Sequence, residues 1–315
     1  MAVKDFYYLF VILLIKIVSW SSSDTLRELT ASVLAFTAYT FSRTKRRLME
    51  KNISLAYGGD LTTEQRQRIV KASFHEFWLY ILSWLPSKED LSAVKEAELH
   101  GIEHLNKALE KGTGVILWES NGFGKRILAK RILHGLGFSI HQLHGGNDLG
   151  GFLMDESPAT RVKLSMIRPF FENCEMNIVA GIIYLPSSNS LAFSRTLLSL
   201  LKKNGILCIS GDGKGGLKFI PLKFLGQTEF FPTGMASMSK LSGASILPVF
   251  CIKEESGKTV LNIEHPINAD TDNDRKDTLE NCVSTYAKRL ETYIKLYPEQ
   301  YRNWHLVGKA PNNLS

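Results

Sequence analysis

The stretch from Gly114 to Arg126 constrains the chain most. A four-residue apolar run, Val115 to Trp118, is bounded by glycine and breaks into a polar, glycine-bearing turn before a basic segment restarts at Lys125. An apolar run that short between turn signals reads as a buried strand, and the spacing after it predicts a helix from Lys125 to about Leu136. A strand, a tight turn and a helix N-terminus put side chains at the carboxyl edge of a sheet, where free N–H groups can hold an anion. By itself the pattern also fits an ordinary connection with no chemistry.

The rest of the second half repeats that alternation. A short helix around Ile102 to Glu110 precedes the central strand. Phe138 to Leu143 is strand-like and ends in His144-Gly145-Gly146-Asn147-Asp148. Between Leu149 and Ser190 only Ile178 to Leu185 has a clear pattern, that of a strand. Leu191 to Lys203 is an amphipathic helix with Phe193, Leu197, Leu200 and Leu201 inward, and the strand Ile206 to Ser210 opens into a turn over Gly211–Gly216. Strands follow at Phe219–Leu225, Ile246–Ile252 and Val260–Ile267, with a helix of small residues at Met235–Ser242 that Thr233 would cap. Leu279, Val283, Tyr286, Leu290, Tyr293 and Tyr297 mark one face of a long last helix. This order predicts an α/β fold, a layered αβα sandwich over residues 99–315. The Gly211–Gly216 turn lacks the Gly-x4-Gly-Lys-Ser/Thr spacing of a phosphate loop, so a substrate-edge loop with Asp212 at a strand end fits it better.

Two regions precede this body. Residues 46–98 form a helical subregion, in which Thr62-Thr63-Glu64-Gln65 fits a capping box for a helix over Leu61–Leu85. Ile69, Ser73, Phe77, Ile81 and Trp84 share one face of that helix, broadened by Phe74, Trp78 and Leu85; a core helix fits this better than an acyl-binding one. Residues 1–45 hold a membrane-seeking segment. Phe6 to Trp20 is apolar except for Lys16, a little short for a spanning helix of about 17–25 residues. Tyr7, Tyr8 and Trp20 are interface-type aromatics, and Lys16 could snorkel. A cleaved leader is disfavoured, because Lys4 sits beside Asp5 and nothing like Ala-x-Ala follows. An anchor that spans or lies in the interface is the expectation; a buried amphipathic helix is the alternative. A weaker apolar stretch, Leu29–Phe41, runs into the basic cluster Arg43, Lys45, Arg46, Arg47 and Lys51, which suits the cytoplasmic leaflet and its anionic headgroups.

Charge and cysteines narrow the partners. A net charge of +7 favours anionic company without choosing among nucleic acid, phospholipid and anionic substrate. The basic cluster adjoins an anchor and is not interleaved with aromatics, which argues against nucleic acid. Cys174, Cys208, Cys251 and Cys282 are scattered, with no Cys-x-x-Cys pair, so neither a zinc site nor a disulfide framework is expected.

Taken together, several segments resemble the lipid A late acyltransferases, the membrane-anchored lauroyl and myristoyl transferases of the lysophospholipid acyltransferase superfamily. They are the anchor and basic run; Asn52-Ile53-Ser54-Leu55-Ala56-Tyr57; Thr63-Glu64-Gln65-Arg66; Gly114–Leu117; Phe123-Gly124; Ile209–Asp212; Phe224-Leu225-Gly226; the run from Phe231 to Ala236; the run from Ser242 to Val249; and the run from Tyr297 to Tyr301. The resemblance implies a glycerolipid-acyltransferase type of fold. It implies transfer of a fatty acyl group from an acyl-carrier-protein or coenzyme A thioester, used as co-substrate with no permanently bound cofactor, to a hydroxyl of a lipid or glycolipid at the inner face of the cytoplasmic membrane.

The chemistry is where the resemblance breaks. The family motif is His-x4-Asp/Glu, in which the histidine takes the acceptor's proton and the carboxylate orients it. Alignment on Phe123-Gly124 puts Gly122 and Ile127 at those positions; counting without a gap from the strand puts Asn121 and Arg126 there. Neither register supplies a base, and losing one forfeits about 10²- to 10⁴-fold in rate. Three explanations follow: a substitute base, for which Glu119, His144 and His141 are candidates; a scaffold that binds acyl chains or lipid without turnover, as a pseudoenzyme or partner subunit; or an acceptor that needs no histidine. On the enzyme reading Asn121, Gly122 and Gly124 form the turn against the thioester and its oxyanion. Lys125 and Arg126 would then contact an acidic headgroup or the carrier's phosphopantetheine, and Asp212 matches a family position beside the site.

Overall fold

A computed structural model describes residues 3–21, 23–86, 88–145, 160–186, 191–214, 216–267 and 275–311. Its centre is a seven-stranded sheet: β1 Glu98–His100, β2 Val115–Glu119, β3 Ile140–His144, β4 Gly181–Tyr184, β5 Ile206–Ser210, β8 Ser245–Lys253 and β9 Thr259–Ile263. The order is β1-β9-β8-β2-β5-β3-β4, parallel throughout except for the antiparallel β8–β9 pair. A parallel sheet is covered on both faces, which is why β2 is buried at all five positions rather than alternating with polar residues. Its side chains still alternate by face: Ile116 and Trp118 enter one apolar cluster, Val115 and Leu117 the other.

The smaller cluster lies under α6 (Ile102–Glu110) and part of α7 (Arg126–Gly135). The larger one takes in α1 (Val3–Ser21), α2 (Asp24–Phe41), α3 (Arg43–Ala56), α4 (Thr63–Leu82), α8 (Arg168–Met176), α9 (Leu191–Lys202), α10 (Gly234–Ser242) and α11 (Arg275–Leu296). α4 opens with the expected capping box: Gln65 N donates to Thr62 Oγ1 at 3.2 Å, and Thr62 N to Gln65 Oε1 at 2.8 Å. α5 (Lys88–Glu96) occupies the charged stretch after it.

Several expectations change. The segment after β3 contains a helix the sequence pattern did not reveal, a π-turn at Lys163–Ile167 continuing into α8. The continuation Gly146–Asp148 and Gly215 lie outside the described residues. Phe219–Phe224 (β6) pairs with a second strand, β7 (Gln227–Pro232), as a hairpin whose two turn residues, Leu225 and Gly226, both have positive φ. Thr233 precedes α10, but its side chain makes no capping bond.

The anchor changes most. No described helix is long and apolar enough to cross a membrane. α1 instead lies along the body, burying Tyr8, Val11, Ile12, Ile15 and Val18, with Asp5 accepting from Thr160 Oγ1 at 2.6 Å. Its other side exposes Phe6, Phe10, Leu13, Ile17 and Trp20, and α2 exposes Leu26, Leu29, Val33 and Phe36. Both sets repeat every three or four residues, one stripe per helix.

Candidate functional site

The turn after β2 sits at the carboxyl edge of the sheet, as its sequence predicts, but it is a closed structure. Asn121 N donates to Asp212 Oδ1 at 2.7 Å, and Ser120 Oγ donates to Asp212 Oδ2 at 2.6 Å. Ser120 Oγ in turn accepts from Gly122 N (3.3 Å) and Phe123 N (3.1 Å). Gly124 N goes to Gln300 O (3.2 Å) and Lys125 N to Cys251 O (2.7 Å). All five backbone donors from 121 to 125 therefore have partners inside the fold, and none points free at an oxyanion.

The chain's last segment clamps this turn from outside. Phe123 bridges Tyr301, Arg302 N donates to Gly122 O at 2.8 Å, and the Arg302 guanidinium reaches Gly124 O at 2.7 Å and Asn121 O at 3.4 Å. The fit leaves no room for side chains at two positions. A Cβ on Gly122 would come within 2.5 Å of the Asn303 side chain, and one on Gly124, at φ +68°, within 2.5 Å of Cys251 O.

Beneath the turn lies a buried charge cluster. Arg126 Nη1 donates to Asn121 Oδ1 at 2.8 Å and Nη2 to Glu119 Oε1 at 2.5 Å. Lys130, one helical turn on, is 3.5 Å from Glu119 and 2.8 Å from Glu175 Oε1. Glu175 also pairs with His144 Nε2, and Gln142 Nε2 reaches Glu119 at 3.4 Å. Gln142 and His144 are two residues apart on β3 and so share a face; His141 takes the other. The cluster is dry, with side-chain exposures of 5% or less at Glu119, Arg126, Lys130, His144 and Glu175.

Electrostatics follow from this packing. Burial would raise the Glu119 carboxyl, yet Arg126 and Lys130 outweigh it and hold the group below its ordinary range. Glu175 behaves likewise, burial being overcome by Lys130 and then His144. The same carboxylates raise Lys130 and Arg126 against burial. Asp212 goes the other way: burial raises it despite the bonds from Ser120 and Asn121.

Glu119, Asn121, Arg126, His144 and Asp212 are thus brought together from four elements, while Lys125 is drawn aside to Glu76 of α4. The two cations expected to meet a headgroup or pantetheine phosphate are committed to carboxylates, and Arg126 is buried. Asn121 and Arg126 touch, which favours the ungapped register for the His-x4-Asp/Glu motif. In that register an amide and a guanidinium would stand at its two positions, and neither accepts a proton near neutral pH. The cavity under the turn, lined by Glu119, Ser120, Phe123, Arg126 and Lys130 among others, is about 10 Å³, on the order of one water.

A family model for bacterial lipid A biosynthesis acyltransferases matches residues 2–125 and 181–306. The chain belongs to that family. No curated protein matches it. The acyltransferase match stops at Lys125 and resumes at Gly181, so Arg126, Lys130, His144 and Glu175 all fall in the unmatched stretch. The match covers the scaffold on both sides, with Glu119 and Asn121, but not the four cluster residues that face them.

Sequence reasoning missed Ser120, Lys130, Glu175 and Arg302. Arg126 and Lys130, four apart on a helix that follows Glu119, were a detectable signal of one charged face. Glu175 carried none, because its helix lies in the segment without a readable period.

Proposed function

We propose that the protein handles fatty-acyl lipids at the cytoplasmic face of a membrane as a binding, non-transferring member of its family, a pseudoenzyme or partner subunit. The observation that carries this is the Asn121–Arg126 bond at the two motif positions. It fills the place of a proton acceptor with two groups that accept none, and it holds the turn shut over committed N–H groups. Removing a base alone costs about 10²–10⁴ in rate; removing oxyanion donors costs about 10²–10³ more. Membrane seating is supported by the exposed stripes of α1 and α2, with the basic helix α3 directly after them, an arrangement suited to lying in the interface.

Transfer from an acyl-carrier-protein or coenzyme A thioester to a lipid or glycolipid hydroxyl is the second reading. It is favoured by family membership and by the His144–Glu175 pair, an imidazole and carboxylate already joined three salt bridges from Arg126.

One experiment separates the two. Purified full-length protein in lipid–detergent micelles is given each acyl thioester with a glycolipid acceptor, and both acyl binding and thioester cleavage are followed. Saturable binding with cleavage at the background rate supports the binder. Cleavage coupled to acceptor acylation, lost in His144→Ala or Glu119→Ala, overturns it.

A further inference from the structure

We propose that His75 is a pH-sensitive latch, which pins the outer helix α2 to α4 when its imidazole is charged and loosens it when the imidazole is neutral. His75 sits part-buried on α4, and its Nε2 meets two groups of α2, Glu28 Oε2 at 3.3 Å and Ser32 Oγ at 3.3 Å. Glu28 and Ser32 are four residues apart, so they share one face of α2. The exposed stripe of Leu29, Val33 and Phe36 takes another face. The contact is a clasp between two helices rather than a bond within one.

Apolar packing holds α2 only lightly. The residues it buries are Arg27, Ala31 and Ala35, with Leu34, Ala38 and Tyr39 part-buried, and two alanines remove little apolar area from water. Two polar contacts pin its first half: Arg27 Nη1, which meets Asp90 Oδ2 at 2.6 Å, and the clasp. Of these only the clasp contains a histidine, the side chain whose charge changes around neutrality. The bond to Glu28 raises the His75 imidazole above its ordinary value of 6.5 against burial; the charges of Glu28 and Glu76 add to the rise, and Lys125 at the head of α7 opposes it. The same bond lowers the Glu28 carboxyl against burial, with help from the charges of His75, of Lys253 at the end of β8 and of Lys125. A raised imidazole gives stability that is fully present below 6.5 and fades as pH rises through its folded value; a lowered carboxyl gives stability above 4.5 that fades in acid. The clasp is shut between those two values and opens as the medium turns alkaline.

The consequence falls at the membrane, and it rests on the seating of α1 and α2 proposed above. An anionic leaflet at about −30 mV draws protons and lowers the pH at its surface by about half a unit. Seating on such a leaflet favours charged His75 and shuts the clasp beneath the stripe that enters the lipid. Glu76, the next residue, holds Lys125 of the turn after β2. Two adjacent side chains of α4 reach the lipid-facing helix on one side and that turn on the other.

Hydrogen exchange of the α2 amides in the full-length protein, corrected for the chemical exchange rate at each pH, reads the latch. Opening of α2 is expected about two- to fivefold more often at pH 8 than at pH 6, the worth of a part-exposed ion pair, while the β2 amides change little. His75→Gln and Glu28→Gln each abolish that difference, and combining them adds nothing further. A native α2 that opens equally at the two pH values, or a His75→Gln variant that keeps the difference, overturns the proposal. So does an NMR titration of the native protein that puts the His75 midpoint at or below 6.5, a result independent of whether any variant folds. Vesicles of phosphatidylcholine with phosphatidylglycerol supply a second arm at pH 7, where bound lipid is expected to protect α2 more in the native protein than in His75→Gln. Equal protection of the two bound proteins would overturn the link to leaflet charge. Failure to bind these vesicles would overturn the seating instead, and the exchange measured in solution would still decide the latch.

Discussion

Lys130→Met offers the sharpest test of the buried cluster. The substitution keeps length and volume and removes one positive charge from between Glu119 and Glu175, 3.5 Å and 2.8 Å away, where all three side chains are 5% exposed or less. Breaking a buried ion pair from one side costs about 3–5 kcal/mol, because the carboxylates stay behind uncompensated. For a chain of 315 residues that is a fall in Tm of about 5–8 °C. The sign of the pH dependence follows from the carboxylates. Both are held below their ordinary value of 4.5 in the fold, so their contribution is fully present above that value and fades as pH drops through their folded values. The native protein loses it in acid; the variant, whose Glu175 and Glu119 have lost a principal cation, has less to lose. The gap between the two is therefore widest at pH 7 and narrows below about pH 4.5. Thermal unfolding followed by circular dichroism at pH 7 and at pH 3.5 measures it. Adding Glu175→Gln to Lys130→Met should recover at least about 1 kcal/mol by restoring charge balance. A loss under about 1 kcal/mol at pH 7, or a gap of equal size at both pH values, would refute a cluster held by these charges.

Other predictions concern the turn and the surface. Gly124→Ala places a Cβ against Cys251 O at a positive φ and should cost about 1–3 kcal/mol in urea unfolding, where the same change at Gly137, which has open space, costs less. Tyr286→Phe removes the donor to Glu119 O at 2.8 Å but leaves that carbonyl its bond from Gly211 N, so the loss should stay near about 1 kcal/mol. Replacing Phe10 and Leu13 of the exposed α1 stripe with Glu should leave thermal stability within about 0.5 kcal/mol per site. The same pair should abolish co-sedimentation with anionic vesicles, since binding of this kind scales with apolar area entering the leaflet.

The sheet was readable because a doubly covered parallel sheet writes itself as short continuous apolar runs, and β2, β5, β8 and β9 all have them. β7 was hidden: its Phe230-Phe231-Pro232 end is apolar, but its Gln227–Glu229 start is polar, and its Glu229 is spent inside the fold on Lys214 and Gly308 N. α1 was legible as apolar and misleading as to depth, because one face packs on α4 and α8 territory and only the other is free, a division composition does not record. At the site, the strand-turn-helix pattern located the turn correctly. What closes it comes from residues 298–303, some 175 positions away, where Arg302 and Gln300 look like ordinary surface polar residues until folding brings them onto Gly122 and Gly124.

The residues at 121 and 126 account for the cluster below them. A basic residue at 126 is an expensive occupant for a site so deeply buried, and it is tolerable here because Glu119 directly ends the strand and meets its guanidinium at 2.5 Å. Lys130 then balances Glu175, and Glu175 takes His144, so each charge in the dry layer between α7, β3 and α8 has an opposite neighbour. An imidazole at 121 would face the Arg126 guanidinium and be disfavoured in its protonated form, the state a general base must reach. Asn121 is the residue that accepts from a guanidinium at no electrostatic cost, through an amide oxygen that needs no change of charge. Asparagine at 121, arginine at 126 and glutamate at 119 therefore form one coupled set, and placing a proton acceptor at 121 would require changing all three together.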